Sequence, residues 1–114
     1  MPQGKNLGRL AEDMKRELIA VIGAMKDPRL QGGLLTVMRV EVSQDLSSAK
    51  VFVSMLGGQD SRGAADALNR AAGHVRSEIA KRMHIRKTPE FRFIPDDGAK
   101  YASHINEILE GLHR

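Results

Sequence analysis

The chain reads as an α+β sandwich, with helices packed on one face of a small sheet. Three observations carry that reading. Apolar residues recur at helical spacing in two long segments. They alternate with polar residues in two neighbouring short segments. A third apolar run, Phe91–Ile94, is bracketed by Pro89 and Pro95. At 114 residues the chain predicts a single domain over 1–114, with its core from about residue 6 to residue 112. A chain of this size buries roughly 65% of its unfolded surface, enough for one core without metals or disulfides.

The elements follow in order. Leu7, Leu10, Met14, Leu18, Val21, Ile22 and Met25 fall within one arc of a helical wheel, which predicts a half-buried helix over Asn6–Lys26. Asn6 is a candidate cap for its start. Pro28 disfavours helical geometry at Asp27 and ends it. Beyond Gly32-Gly33 the period changes to two. From Leu35 to Ser43, Met38, Val40 and Val42 alternate with Arg39 and Glu41. Gln44–Ser48 is rich in turn formers, and Ala49–Leu56 alternates again, so a hairpin is expected. Leu68, Ala72, Val75, Ile79 and Met83 predict a second long helix over Arg62–His84, kinked or closely approached at Gly73. Glu90–Pro95 reads as a third strand, Asp96-Asp97-Gly98 as a turn, and Tyr101–Leu112 as a last helix. Met14, Met25, Met38, Met55 and Met83 all fall on expected core faces.

Little in the chain suggests catalysis. Cysteine is absent, which excludes disulfides, zinc–thiolate sites and cysteine nucleophiles. Neither a phosphate-binding Gly-x-x-x-x-Gly-Lys loop nor a Gly-x-Gly-x-x-Gly turn occurs. His74, His84, His104 and His113 form no close ligand pair, and Asp96-Asp97 beside Gly98 reads as a turn. No nucleophile–base pairing is visible, so a protein without catalysis, cofactor or metal is expected. No apolar run reaches the roughly 20 residues a membrane helix needs, and the N-terminus lacks a secretory pattern. A soluble, cytoplasmic protein is therefore expected. One Tyr, three Phe and no Trp argue against a platform of stacked aromatics.

The charge is more telling. The chain carries +4 overall, while the window from Arg70 to Arg92 alone carries +5, with Glu78 and Glu90 its only acids. Arg70, His74 and Lys81 line up opposite the apolar stripe of the second long helix. Arg76 and Arg82 flank it, and Arg86 and Lys87 extend the run into the turn that follows. Such a stripe can neutralise phosphates and release counterions. A solvated helix face, its long stems covering apolar surface, is the plainer alternative.

Several segments together resemble the ribosome-binding factor A family of bacterial small-subunit assembly factors. They are Lys26-Asp27-Pro28-Arg29-Leu30, Thr36–Leu46, Ala49–Gly57, Leu68–Arg76 and Pro89–Asp96, in the family's order and spacing. The resemblance implies a type II KH-like domain of order α-β-β-α(kinked)-β, plus a C-terminal helix here. Ordinary KH domains carry a Gly-x-x-Gly loop against the nucleic-acid backbone, and this sequence has none. The family replaces it by an Ala-x-Gly step at a helix kink, which Ala71-Ala72-Gly73 matches. The RNA-binding residues so implied are Arg70, Ala71, Gly73, His74, Arg76, Lys81, Arg82, Arg86 and Lys87. The resemblance further implies binding to free 30S subunits and 16S rRNA, late maturation of that subunit, processing of the RNA's 5′ end and growth in the cold. It implies an assembly GTPase as a releasing partner, and a monomer is expected. Family members often carry a longer charged C-terminal tail than one ending at Arg114. A different reading, an interaction module docking a protein partner through Ile105, Ile108 and Leu112, is told apart by salt. RNA binding weakens steeply with ionic strength, and a hydrophobic dock does not.

Overall fold

The elements follow in the order helix, strand, strand, helix, helix, strand, with two helices where the spacing predicts one bent helix. The computed structural model describes residues 3–57 and 60–96, with side chains from Leu7 onward. The elements are α1 (Gln3–Gly23), a 3-10 turn (Pro28–Leu30), β1 (Leu34–Val42), β2 (Ser48–Leu56), α2 (Ser61–Arg70), α3 (Ala72–Arg82) and β3 (Glu90–Pro95). The helix expected over Tyr101–Leu112 lies outside the described residues.

The sheet order is β1-β2-β3, with β1 antiparallel and β3 parallel to the central β2. Helices α1, α2 and α3 pack on the same sheet face, α1 against β1 and α3, α2 against β2 and β3. The buried core joins Met14, Leu18, Val21 and Ile22 of α1 to Val51, Val53 and Met55 of β2, and to Leu68, Val75, Ile79, Phe91 and Phe93. The apolar arc of α1 is thus the core face it was expected to be. The helix begins at Gln3, however, so Asn6 lies inside it and is not its cap. The helix runs through Asn6 despite Gly4 and Gly8 on either side of it, because its apolar arc from Leu10 onward packs on the core.

One strand departs from simple alternation. Val37 faces Val53 and Arg39 faces Phe52, so Met38 has no partner and forms a bulge. One inserted residue flips the face of everything before it. Val37 is therefore buried together with Val40, and Met38 is only half-buried rather than a core residue. On the outer face the bulge sets Arg39 over the Phe52 ring, 3.8 Å from its centroid. The same guanidinium donates to Glu41 Oε2 at 3.0 Å and to Asp96 Oδ2 at 3.3 Å, linking β1 to the end of β3 across β2.

The two ends of the hairpin are closed differently. At the turn, Asp45 Oδ1 accepts from the Ser47 hydroxyl at 2.7 Å, the Ser47 N–H at 3.1 Å and the Ser43 hydroxyl at 2.8 Å. These bonds, those from Ser47 first, hold the Asp45 carboxyl down to about 2. At the open end Gly33 passes against the backbone of Leu56 and Gly57, where any Cβ would strike their carbonyl oxygens.

Two outcomes are expected. Gly33→Ala should destabilise the fold by about 1–3 kcal/mol in denaturant unfolding, because backbone, unlike a flexible side chain, cannot yield cheaply. A carboxyl whose folded pKa is depressed stabilises the fold above its ordinary value of 3.8, and that contribution fades as pH falls toward about 2. Thermal melts between pH 7 and pH 2 should show an acid-limb loss that Asp45→Asn reduces.

Candidate nucleic-acid interface

The basic stripe is carried by two helices whose placement is fixed from their starts. Asp60 caps α2, its Oδ1 accepting from the Gly63 N–H at 2.7 Å. Buried Ser61 accepts through Oγ from the Met55 N–H at 2.9 Å, pinning that end to β2. The buried face of α2 is mostly alanine, Ala64, Ala65 and Ala67, with Leu68, so the helix lies close on the sheet.

Spacing alone predicts one helix over Arg62–His84 bent at Gly73; the structure has two, and the break is at Ala71, with φ −98° and ψ 10°. That conformation is open to any small residue and needs no glycine. Gly73 instead sits in the first turn of α3, exposed, and a Cβ there would meet nothing within 4 Å. It is therefore not kept small by helix–sheet packing. α3 starts afresh at Ala72 without a side-chain cap, and Val75 donates its N–H to the Ala71 carbonyl. Such a helix start favours an anion.

Opposite Gly73 runs β3. Asn69, two residues before the break, holds that strand by both its polar atoms. Its Oδ1 accepts from the Phe93 N–H at 2.8 Å, and its Nδ2 donates to the Phe93 carbonyl at 2.9 Å. Between the break and the strand lies a cleft of about 260 Å³, lined by Ala72, Gly73, Arg76, Glu90 and Phe91. A similar hollow of about 270 Å³ between the end of α1 and β1 is lined without any charged residue.

The expected site residues divide by what they already hold. Arg70, His74, Arg76, Lys81, Arg82, Arg86 and Lys87 are all exposed, and Ala71 is half-buried at the break. Arg76 donates through Nε and Nη2 to the Thr88 carbonyl at 3.1 and 3.0 Å, tying α3 to the start of β3. Lys81 pairs with Glu78 and Arg82 with Glu17, each at 3.3 Å, and both cations sit in the last turn of α3, where they suit the helix dipole. Arg70, Arg86 and Lys87 make no ion pair or hydrogen bond with another described residue. Arg70 lies near enough to Asp27 to help hold its carboxyl below the usual range, an effect due first to the hydrogen bond from Arg29. Lys87 contributes in the same way, and last, at Asp45. Of the expected cations Arg76 lines the cleft, while Arg70 lies toward the Asp27 turn and Lys87 toward the hairpin turn. Asn69 and Phe91 belong to this site and carry no signal in the charge pattern, which Glu90 enters only as one of its two acids. Pro89 and Pro95, at the two ends of the third strand, are the signal that leads to Glu90 and Phe91.

Among the described residues no group of His, Asp or Glu could hold a metal ion, and no helix is long and apolar enough to cross a membrane.

Comparison with known proteins agrees with this layout. A family model described as ribosome-binding factor A matches residues 6–109. This chain belongs to that family. The ribosome-binding factor A of Desulfitobacterium hafniense is 47% identical over 106 residues, covering 91% of this chain and 83% of its own. That of Brevibacillus brevis is 45% identical over 108 residues, covering 93% and 88%. The crystal structure of ribosome-binding factor A from Thermus thermophilus superposes with a TM-score of 0.71 at 36% identity, over 78% of this chain and 93% of that one. Coordinates of a Thermus thermophilus ribosome-binding factor A fitted into the cryo-EM map of a 30S complex give a TM-score of 0.64 at 35% identity, over 77% and 92%.

The open space at Gly73 makes a stability outcome definite. Gly73→Ala should raise stability by up to about 1 kcal/mol through helix propensity alone. A lowered melting temperature would show that the position is packed after all.

Proposed function

We propose that this protein binds the free 30S subunit through 16S rRNA and assists late maturation of that subunit without catalysis of its own. The observation that carries the reading is family membership over residues 6–109, with a relative placed in a 30S complex. The geometry supports it. Arg70 stands just before the helix break and Arg86 and Lys87 beyond the end of α3, all unpaired among the described residues, and the backbone at Gly73 is bare, so phosphates can come close.

The nine residues expected from the sequence divide the work in this reading. Gly73 and Ala71 admit the RNA backbone at the break. Arg70, Arg86 and Lys87 offer free charge, and His74 adds a donor from the exposed start of α3. Lys81 and Arg82 can exchange their exposed ion pairs for phosphates at little cost, since such pairs contribute about 0–1 kcal/mol. Arg76 holds the β3 side of the cleft in place. The fold then acts as a KH-like RNA-binding domain. It favours an immature RNA conformer by binding it better than the mature one, which shifts the population without any reaction. Support of 16S 5′-end processing, of growth in the cold, and release by an assembly GTPase belong to the same reading, in a cytoplasmic monomer.

Sucrose-gradient fractionation of extract tests it. The chain should run with free small subunits. Arg70→Glu combined with Lys87→Glu should leave the melting temperature unchanged while moving the protein to the top of the gradient, and Gly73→Ala should weaken co-sedimentation. Unchanged co-sedimentation of the charge-reversed variant would refute this surface.

A further inference from the structure

The sheet has a second face, which no described element covers, because α1, α2 and α3 all pack on the other one. Phe52, Ser54 and Leu56 alternate out of β2 onto this outer face, where Phe52 carries the Arg39 guanidinium. Their ladder partners point the same way: Leu34 lies opposite Leu56, Thr36 opposite Ser54, and Ile94 beside Phe52. The face is thereby divided. One end is charged, with Glu41, Lys50 and Arg92 side by side, and the other is apolar. Leu34 is 63% exposed and Leu56 41%, two of the three large apolar side chains that stand open among the described residues. Next to them the Ser54 hydroxyl is buried and meets no hydrogen-bond partner. An orphaned hydroxyl among open leucines marks a surface short of its cover.

We propose that the apolar end of this outer face is the docking site of the chain's own segment Tyr101–Leu112. Three observations choose that occupant. The first is place. Asp96, the last described residue, donates its N–H to the Val53 carbonyl and accepts from Arg39 across the outer face. The chain therefore leaves the sheet beside the patch, and eighteen residues follow. The second is reach. Residues 97–100 span at most about 14 Å, and adjacent strands are about 4.8 Å apart, so the segment can begin over any of the three strands. As a helix it is about 18 Å long, the length of about five strand residues. The third is chemistry. Tyr101, Ile105, Ile108, Leu109 and Leu112 recur on one helical stripe, with Glu107 and Glu110 on the other side. Tyr101 also brings a hydroxyl to a face whose Ser54 lacks a partner. A second copy of the chain is the poorer occupant. The apolar end measures on the order of 250 Å², against about 800 Å² per partner in a stable interface. A tethered segment needs far less area, because a short link holds it at a roughly millimolar effective concentration. The face lies opposite the helices that carry the cationic stripe, so the inference stands apart from the RNA reading.

Paramagnetic broadening by NMR on the full chain tests this. The sequence has no cysteine, so a nitroxide attached at Glu110→Cys, on the polar side of the stripe, reports on this segment alone. The amides of Leu34, Phe52, Ser54 and Leu56 should lose most of their intensity, and those of Gly73 and His74, on the far side of the sheet, much less. Dilution should leave the pattern unchanged. Ile108→Asp combined with Leu112→Asp in the labelled chain should abolish the broadening, as should Leu56→Asp on the face itself. The Gly73 and His74 resonances should stay in place in both variants, which shows that the domain remains folded. Uniform weak broadening, or broadening centred on Ile19 and Met25 at the apolar hollow beside α1, would overturn the proposal. Broadening that fades on dilution, or that passes from a labelled chain to an unlabelled one in a mixed sample, makes a second copy the occupant and overturns it as well.

Discussion

How β3 is held decides what the rest of the surface can be. A six-residue strand paired on one side only is a weak element, and its parallel ladder is the less stable kind. Asn69 supplies the missing second side at Phe93, and Arg76 fixes the chain just ahead of it at Thr88. Both residues come from the broken helix pair. The strand and the two helices are therefore one unit, and hydrogen bonds add to the apolar contact of Leu68, Val75, Phe91 and Phe93 in setting the position of the break relative to the strand. Asn is the residue this demands, because an aspartate in its place could accept from the Phe93 N–H but could not donate to the carbonyl.

The cationic stripe looks different once its partners are known. Arg76 makes two bonds to a backbone carbonyl, and losing them would free the loop before β3. Lys81 and Arg82 make exposed pairs of small net worth, which phosphates can replace. Arg70, Arg86 and Lys87, unpaired among the described residues, sit at the two ends of the stripe rather than along its middle. Unpaired charge is thus spread over both ends of the stripe, not concentrated on one helix face. The steep salt dependence expected of RNA binding would come from these end positions first.

Most of the architecture was legible in period and punctuation. The apolar arc of α1, the hairpin and the Pro-bounded third strand all emerged where spacing placed them, because each buries one face against the same core. The misses have local causes. Counting by twos put Met38 inward, and a single unpaired residue moved the core position to Val37. Gly73 drew the bend because glycine marks odd backbone, yet Ala71 takes a conformation that any residue can adopt. Asn69 was unreadable, because its partner is a backbone 24 residues away and nothing in residue type announces a main-chain contact. For the site, the cations and the small-residue step could be named from the sequence. Which cations are free could not, since that depends on Thr88, Glu78 and Glu17 arriving beside them.

The prolines at the two ends of β3 connect these levels. An exposed edge strand invites pairing with other chains, and proline is one of the ways natural sheets prevent it. Pro89 and Pro95 remove the first and last of four outward donors, and Asn69 covers a third. Strand addition needs several donors in register, so this edge is blunted by subtraction. The helix break brings Gly73 and the start of α3 alongside the same strand, at the cleft that Phe91 lines. A change at Pro89 that restored an N–H would therefore reopen the edge to pairing.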